Sequence, residues 1–468
     1  MAGAWNVLVL VADSFRLDAV GAFGGRARTR AIDRLARQGV RFTNFLPGSF
    51  PTGPFRRDLH TGRFNFVDQA WAGPWARDEV LLGEVAAAAG YHAAVIADTP
   101  AVRGYDLRVA EVQHTRQEAE AGSDANLPLP ADARKLRLPM RHLQRILATE
   151  ASWGSEEERH CPRTIRAAHR WLEQWCAKGR SRSPFLLVVD TFDPHEPWDA
   201  PQYYTNLYGA AGYAGDRLIE PAYEPAGYAE PDEMEYMRAL YLAEATMVDR
   251  WLGFLLEGLE RTGLRDETAV VFLSDHGFYH GDNGLVGKVH LDREGRLIGR
   301  WPLFNAIARV PMIVSLPGGP RNEERRAICQ TPDVTATVVE LMGARPANRH
   351  QGRSLIGIIQ GREEDACRDL ALSSCTFVTD AQVRCPVTVR TAEWTYVYGG
   401  DEWPHQLFRG GHGPEGADVF ADQRDVAEDL HQRMLRTLGE WRCPESSLTL
   451  RTPFGQPARP GLPPTRRI

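Results

Sequence analysis

NVLVLVAD, residues 6–13, is an almost entirely apolar run that ends in an aspartate. Two later stretches have the same form, FLLVVD at 185–190 and TAVVFLSD at 268–275. Continuous apolar runs of this length are typical of parallel strands buried on both faces of a sheet. Ligands bind beyond the carboxyl ends of such strands, so three distant segments are expected to bring their aspartates to one crevice.

Helical and strand-like patterns alternate along most of the chain. They predict helices over 31–38, 80–89, 162–178 and 234–262, and further strands over 40–45, 92–97 and 310–315. This alternation predicts an α/β fold: a doubly wound, mostly parallel sheet with helices on both faces.

Beyond about residue 370 the pattern changes. Residues 381–390 and 393–398 alternate like antiparallel strands, and a closing helix is predicted over 427–441. We therefore expect a catalytic α/β domain over 1–370, a small C-terminal α+β subdomain over 371–450, and an extended tail over 451–468.

Composition narrows the functional class. The 468 residues include 55 Lys and Arg against 61 Asp and Glu, and this mildly acidic balance argues against a nucleic-acid partner. No apolar run reaches the ~18 residues that a membrane span needs. Seven scattered cysteines without a CxxC pair indicate free thiols and a cytoplasmic protein. Whether the chain forms a homo-oligomer is left open.

Polar residues follow several of the predicted strands: Asp13, Asp98, Asp190 and the pair Asp275-His276. Acidic groups that face one crevice repel each other unless a cation or protons offset their charge. A single aspartate at a strand end is ordinarily a cap for the next turn or helix. For Asp275-His276, two ligand types beside a glycine favour a divalent metal instead.

The segment SFPTGPFRRDLHTG, residues 49–62, predicts a helix with Thr52 at its N-cap and Pro54 in its first turn. The free N–H groups of a helix start attract anions, and Arg56 lies one turn further on. One interpretation is a capped surface helix. The other is a nucleophilic hydroxyl held beside a metal and an arginine.

Two further elements carry candidate groups. FDPHEPW, residues 192–198, holds His195 between prolines at a strand end, where it is either a plain loop histidine or a proton donor to an ester oxygen. Lys288 follows a glycine-rich segment, either as a solvated loop charge or as a cation for the transferred group.

Taken in order, these motifs resemble the sulfatase family of the alkaline phosphatase superfamily. The similarity covers residues 5–365 densely and the C-terminal part more faintly. The matching stretches, in chain order, are VLVLVADSFRLDAVGAFG (7–24), TRAIDRLARQGVRFTNF (29–45), TGPFR (52–56), LHTG (59–62), FDPHEPW (192–198), VVFLSDHG (270–277), Lys288, QTPDVTATVVELMG (330–343) and GRSLIG (352–357).

The resemblance implies a role for each matching residue. Asp13, Asp275 and His276 match metal ligands, and Thr52 matches the nucleophile, which also touches the metal. Arg56 matches the residue that steadies the nucleophile and binds the anion. Lys288 and His195 match groups that bind the ester's oxygens and assist the leaving group.

Four places depart from the family pattern. Ser14 stands where most sulfatases have a second aspartate, and Asp98-Thr99-Pro100 stands where a Lys-x-x-His is usual. His276 stands where many have asparagine, which is closer to the phosphonate monoester hydrolase and phosphodiesterase branch. Thr52 occupies the position that sulfatases convert from cysteine or serine to formylglycine, and a threonine cannot form that aldehyde.

The threonine bears on the substrate. A formylglycine hydrate releases sulfate by collapsing to an aldehyde, whereas a threonine ester must be attacked by water at sulfur or phosphorus. This favours a hydrolase of phosphate or phosphonate esters, small-molecule or glycan, that acts through a covalent Thr52 intermediate. A sulfuric ester hydrolase proper, a catalytically impaired binder of sulfated or phosphorylated ligands, and a transferase to an alcohol remain alternatives.

The expected cofactor is one divalent metal ion, Mn²⁺, Mg²⁺, Zn²⁺ or Ca²⁺, with His276 making Ca²⁺ the least favoured. A second ion held by Asp190 or Asp193 with His195, His280 or His290 is the alternative. The segments at about 100–160 and 199–232 are expected to determine specificity.

Overall fold

A computed structural model describes residues 5–71, 73–76, 78–118, 127–137, 140–178, 183–347, 349–378, 384–410 and 416–455. The strands, in chain order, are β1 (Asn6–Ala12), β2 (Val40–Phe45), β3 (Ser49–Phe50), β4 (His92–Ala97), β5 (Glu111–His114), β6 (Phe185–Thr191), β7 (Thr268–Ser274), β8 (Tyr279–His280), β9 (Val286–Gly287), β10 (His290–Leu291), β11 (Leu297–Gly299), β12 (Val310–Ser315), β13 (Glu323–Arg325), β14 (Ala371–Cys375), β15 (Val387–Arg390), β16 (Trp394–Tyr398) and β17 (Gln406–Arg409).

The main sheet has the strand order β13-β2-β12-β7-β1-β6-β4-β5. The three apolar runs that end in aspartate are adjacent, with β1 between β6 and β7 and parallel to both. The register pairs Ala12 with Thr191 on one side and with Ser274 on the other. Asp13, Asp190 and Asp275 therefore reach the same edge of the sheet at nearly the same level.

Helices cover both faces of this sheet. They are α1 (Arg30–Arg37), α2 (Thr52–Thr61), α3 (Leu82–Ala88), α4 (Met140–Ala151), α5 (His160–Ala177), α6 (Gln202–Thr205), α7 (Pro231–Arg261), α8 (Asn305–Ala308), α9 (Thr331–Leu341), α10 (Ile356–Ile359), α11 (Arg424–Glu440) and α12 (Glu445–Arg451). Because side chains alternate along a strand, Leu8 and Leu10 of β1 belong to the core under α1, α5 and α7. Val9 and Val11 belong to the opposite core, under α2, α3 and α9.

The predicted α/β fold is confirmed, and the main sheet is mixed rather than wholly parallel. β12 runs antiparallel to both β7 and β2, because the connection over 275–309 returns the chain beside β7 from the edge at which β7 ends, instead of crossing the sheet on a long helix. β5 and α4 were not predicted. α4 was missed although Leu143, Ile146 and Leu147 recur at a helical spacing and are buried, whereas β5 has no clear apolar period. All four residues of β5 are exposed, as befits an edge strand.

A second sheet has the order β17-β16-β15-β14-β3. Its antiparallel strands and α11 confirm the pattern predicted after residue 370, although 381–383 lie outside the described residues. β3, from the N-terminal part of the chain, completes this sheet by pairing with β14. The domain boundary at 370 stays a prediction, and so does the tail, of which 456–468 lie outside the described residues.

All seven cysteines are free, in agreement with the expectation of free thiols. Across the described ranges, every helix is either too short or too polar to span a bilayer.

Candidate active site

The loop after β1 fixes the first aspartate. Asp13 is fully buried, and Ser14 adopts a left-handed backbone conformation with φ of 61°. The Ser14 hydroxyl donates to Asp13 Oδ1 at 2.8 Å, and its backbone N–H donates to Asp275 Oδ1 at 2.9 Å. Ser14 therefore orients both carboxylates, and this offsets the cost of about 1–3 kcal/mol for its strained backbone.

The loop after β7 supplies the second carboxylate and an imidazole. His276 Nδ1 lies 2.9 Å from the carbonyl of Gly277, which fixes the proton on Nδ1 and leaves the lone pair on Nε2. Nε2 lies 3.5 Å from Asp275 Oδ2 and 3.8 Å from Asp13 Oδ1. Ligand atoms of these three buried residues all lie within 4.8 Å of one another, which is close enough to share one ion.

Thr52 reaches this group from α2, which covers the face of the sheet that carries Val9 and Val11. It is the first residue of α2, with Pro51 at the N-cap, so the predicted N-cap is displaced by one residue. Every residue of α2 is buried. Its first residue, Thr52, lies beside His276, so the N-terminus of the helix faces the crevice. Thr52 Oγ1 lies 3.2 Å from His276 Nε2, and the residue is 8% exposed.

Arg56 contacts all three of the aspartates at the ends of β1, β6 and β7. Its Nε and Nη2 donate to the two oxygens of Asp190 at 3.0 and 2.7 Å, a bidentate pair. Its Nη1 lies 3.2 Å from Asp13 Oδ2 and also donates to Asp275 Oδ2. Three buried carboxylates thus share one guanidinium, which leaves two negative charges in excess at the ends of β1, β6 and β7.

The donor set fits a divalent cation. Asp13 Oδ2 accepts no hydrogen bond of good geometry among the described residues, although it is buried. Burial, reinforced by the charge of Asp275, raises the pKa of Asp13 well above its usual range. Burial also lowers the pKa of His276 to about 4, so its imidazole is neutral at pH 7 and able to ligate. Two carboxylates and an imidazole suit Mn²⁺, Zn²⁺ or Mg²⁺.

His195 and Lys288 lie on the other side of the crevice and share a partner that the sequence did not indicate. The carboxylate of Glu196 is fully buried, with Oε2 3.4 Å from Lys288 Nζ and 3.3 Å from His195 Nδ1. Tyr223 donates its hydroxyl to Glu196 Oε1. Burial, followed by the charges of Lys288 and Arg137, lowers the pKa of His195 well below its usual range.

Three other strand-end or loop acids have structural partners. The Asp98 carboxylate accepts from the Thr164 hydroxyl and from the Phe192 N–H, so it holds the loop that carries His195. Asp193 accepts from the Cys161 N–H at 3.2 Å. Asp190 is occupied by Arg56. Among the described residues, Asp13, Asp275 and His276 form the one group with metal-ligand spacing, so the alternative of a second ion gains no support.

Comparison with known proteins agrees with this arrangement. The family model described as Sulfatase matches residues 5–344. The ulvan-active sulfatase of Formosa agariphila is 24% identical over 399 residues, covering 84% of this chain and 72% of that protein. The multifunctional alkaline phosphatase superfamily protein PehA of Trinickia caryophylli is 25% identical over 421 residues, covering 77% and 78%.

Solved structures show the same fold. The phosphonate monoester hydrolase of Agrobacterium radiobacter superposes with a TM-score of 0.70 at 20% identity, covering 93% of this chain and 96% of that one. The enzyme of the same description from Silicibacter pomeroyi gives 0.71 at 20% identity, covering 95% and 97%. Fold and site define a hydrolase that acts on ester bonds. The chain belongs to the sulfatase family of the alkaline phosphatase superfamily, whose members depend on a divalent metal.

Metal binding has a direct consequence for stability. A ligand that binds only the folded state adds about 2.7 kcal/mol at a hundred times its dissociation constant. We expect chelated protein to unfold at a higher temperature after addition of Mn²⁺, and the shift to be lost in Asp13→Asn. Calorimetric melting with Mn²⁺, Mg²⁺, Zn²⁺ and Ca²⁺ in turn checks this and ranks the ions. An equal shift in Asp13→Asn would contradict the ligand assignment.

Proposed function

We propose that the chain hydrolyses phosphate, phosphonate or sulfate esters, with phospho-esters preferred, and that Thr52 is its nucleophile. One observation carries the proposal: Thr52 Oγ1 lies 3.2 Å from His276 Nε2, beside the group formed by Asp13, Asp275 and His276. The names of relatives such as the ulvan-active sulfatase and the phosphonate monoester hydrolases suggest both ester classes and include glycan substrates.

The first step forms a bond between Thr52 Oγ1 and the phosphorus or sulfur atom. The hydroxyl proton passes to water, and the bond to the leaving oxygen breaks with its electron pair. In the second step water attacks the same atom, and the Thr52 oxygen leaves and recovers a proton. A divalent ion held by Asp13, Asp275 and His276 would supply charge stabilisation and lower the pKa of the hydroxyl.

Two cations, Arg56 and Lys288, and the neutral imidazole of His195 are the remaining groups assigned to the anion and the leaving group. Arg56 Nη1 donates to the Thr52 carbonyl at 3.3 Å, which fixes the first turn of the helix beside the reacting atoms. His195 Nδ1 lies 2.5 Å from the carbonyl of Glu196 and so carries the proton, which leaves Nε2 as an acceptor. Lys288 has no hydrogen bond of good geometry among the described residues. We assign protonation of the leaving oxygen to Lys288.

The threonine favours phosphorus over sulfur for a chemical reason. A threonine ester has no neighbouring hydroxyl that can expel the bound group by collapsing to an aldehyde, so release requires a second attack by water. Positioned cations and metal ions accelerate this attack on phosphoryl groups by neutralising the equatorial oxygens. The buried arrangement of Arg56 and Lys288 supplies such cations.

A substrate panel tests the proposal. Chelated protein is reconstituted with each of four ions and assayed with an aryl phosphate, an aryl phosphodiester, an aryl phosphonate and an aryl sulfate. We expect the highest kcat/KM with a phosphorus ester and dependence on added metal. Turnover of the sulfate alone would establish a sulfuric ester hydrolase instead. Thermal stabilisation by these compounds without turnover of any would establish a binder.

A further inference from the structure

A second cleft opens at the same edge of the main sheet as the candidate active site. β4 and β5 follow β6 in strand order, and Arg116 lies two residues beyond the end of β5. The cleft offers about 30 Å³ to the centres of water-sized groups, which is room for a small polar group, and it opens to solvent. Its lining includes Arg116, Arg145, Trp153, His160 and Pro197.

Two buried polar groups on this cleft have no partner among the described residues. They are Arg116 Nη1 and His160 Nδ1. The Arg116 side chain is only 8% exposed, and its Nε donates to Glu118 at 2.8 Å. A buried polar group without a partner is costly to leave unsatisfied, so such groups on a cleft wall indicate a ligand that completes them.

The surroundings of the cleft favour an anion. Burial first, and then the charges of Arg116, Arg163, Arg103 and Arg159, lower the pKa of His160 to about 2. His160 is therefore neutral, and four arginines lie close enough to it to disfavour its charged form.

The two carboxylates on the cleft already have partners. Asp199 accepts from Arg159, and Glu118 accepts from Arg116. Arg145 remains half exposed, 3.9 Å from Glu118. Glu118 and Asp199 balance the formal charges of Arg116 and Arg145 on the lining, so what the cleft offers a ligand is the half-exposed Arg145 and the unpartnered donor of Arg116 among the described residues.

The cleft and the candidate active site share a loop. The ring of Phe192 stacks on His195 with centroids 3.8 Å apart. The guanidinium of Arg116 lies 5.0 Å from the centroid of the same Phe192 ring. Pro197, on the cleft wall, is two residues from His195. The two places are therefore neighbours that share contacts with the ring of Phe192.

We propose that this cleft binds a second anionic group of the substrate, so that the preferred esters carry two separated anions. The inference rests on the function proposed above, which places the first anion at Thr52. The second group is a carboxylate, sulfate or phosphate, since each accepts hydrogen bonds from Arg116 and from a neutral imidazole.

Paired substrates test the proposal. Two series of aryl phosphonate esters differ only in a terminal carboxylate or a terminal primary amide, with linkers of increasing length. At the best length we expect the carboxylate to have about tenfold higher kcat/KM than the amide, because hydrogen bonds to charged groups are stronger than those to neutral groups. Arg116→Gln is expected to bring this ratio close to one. The control Arg326→Gln, at a 77% exposed arginine beyond the opposite edge strand, leaves it unchanged.

A ratio near one for the parent protein at every linker length would overturn the proposal. If neither series is turned over, the proposed function fails. The cleft is then tested by calorimetry, as the ratio of the affinities of the carboxylate and the amide compounds. Arg145→Gln is the second variant, because its half-exposed side chain is not needed for folding. It is expected to reduce the ratio severalfold, and an unchanged ratio in both variants would contradict the assignment.

Discussion

Replacement of Thr52 by alanine is expected to lower kcat/KM for the best ester of the panel by at least about 10⁴-fold, because it removes the attacking oxygen. Among the described residues, the Thr52 hydroxyl makes one hydrogen-bond contact, with His276 Nε2. Its removal should therefore affect the packing of the fold little. We expect the melting temperature to stay within a few degrees of the parent protein. Steady-state assays with saturating metal, with calorimetric melting alongside, check both statements.

Thr52→Ser is the matched control, since it keeps the oxygen and removes only a methyl group. We expect it to retain at least about a tenth of the parent activity. Acid-quenched reactions of the parent protein should contain a Thr52 peptide heavier by one phosphoryl or sulfuryl group, absent from Thr52→Ala. Parent-like rates in Thr52→Ala would show that the hydroxyl is not the nucleophile, and the ester would then be attacked directly by water.

The strand ends were predictable because buried parallel strands have a distinctive composition. Apolar runs that end in Asp13, Asp190 and Asp275 imply one shared edge, and the structure places these three residues around one arginine. The family resemblance added the order of the motifs. It did not indicate that Asp190 pairs with Arg56, since that contact joins positions 134 residues apart.

Other features depend on tertiary contacts that have no local signal. Glu196 appears in the sequence as one acid of a proline-rich loop, and only the fold encloses it with Lys288 and Tyr223. Ser14 replaces the second aspartate of the family pattern and so removes one potential metal ligand. Its hydroxyl and its N–H nevertheless donate hydrogen bonds to the carboxylates of Asp13 and Asp275. The antiparallel direction of β12 follows from the path of the preceding loop, which apolar patterning does not encode.

Arg56→Met is expected to lower the free energy of unfolding by about 3–5 kcal/mol, because it leaves three buried carboxylates without their shared cation. It should also lower kcat/KM by about 10²–10³-fold, the usual loss when a charge-stabilising donor is removed. Chemical denaturation of the chelated protein measures the first effect, and the ester assay with added metal measures the second.

A double-mutant cycle separates lost charge from lost packing. Asp190→Asn removes one of the carboxylates that Arg56 neutralises, so the double variant should be less destabilised than the sum of the single variants by about 1–3 kcal/mol. Arg57→Met is the matched control. Its guanidinium is also buried, but among the described residues it contacts the carbonyl of Gly73 and the ring of Trp75, 4.9 Å away, so its effect should add to that of Asp190→Asn. Additivity in the Arg56 cycle to within about 0.5 kcal/mol would mean that Arg56 acts mainly through packing. The charge argument for a divalent ion would then lose its basis, because the excess negative charge in the crevice is inferred from this one shared guanidinium.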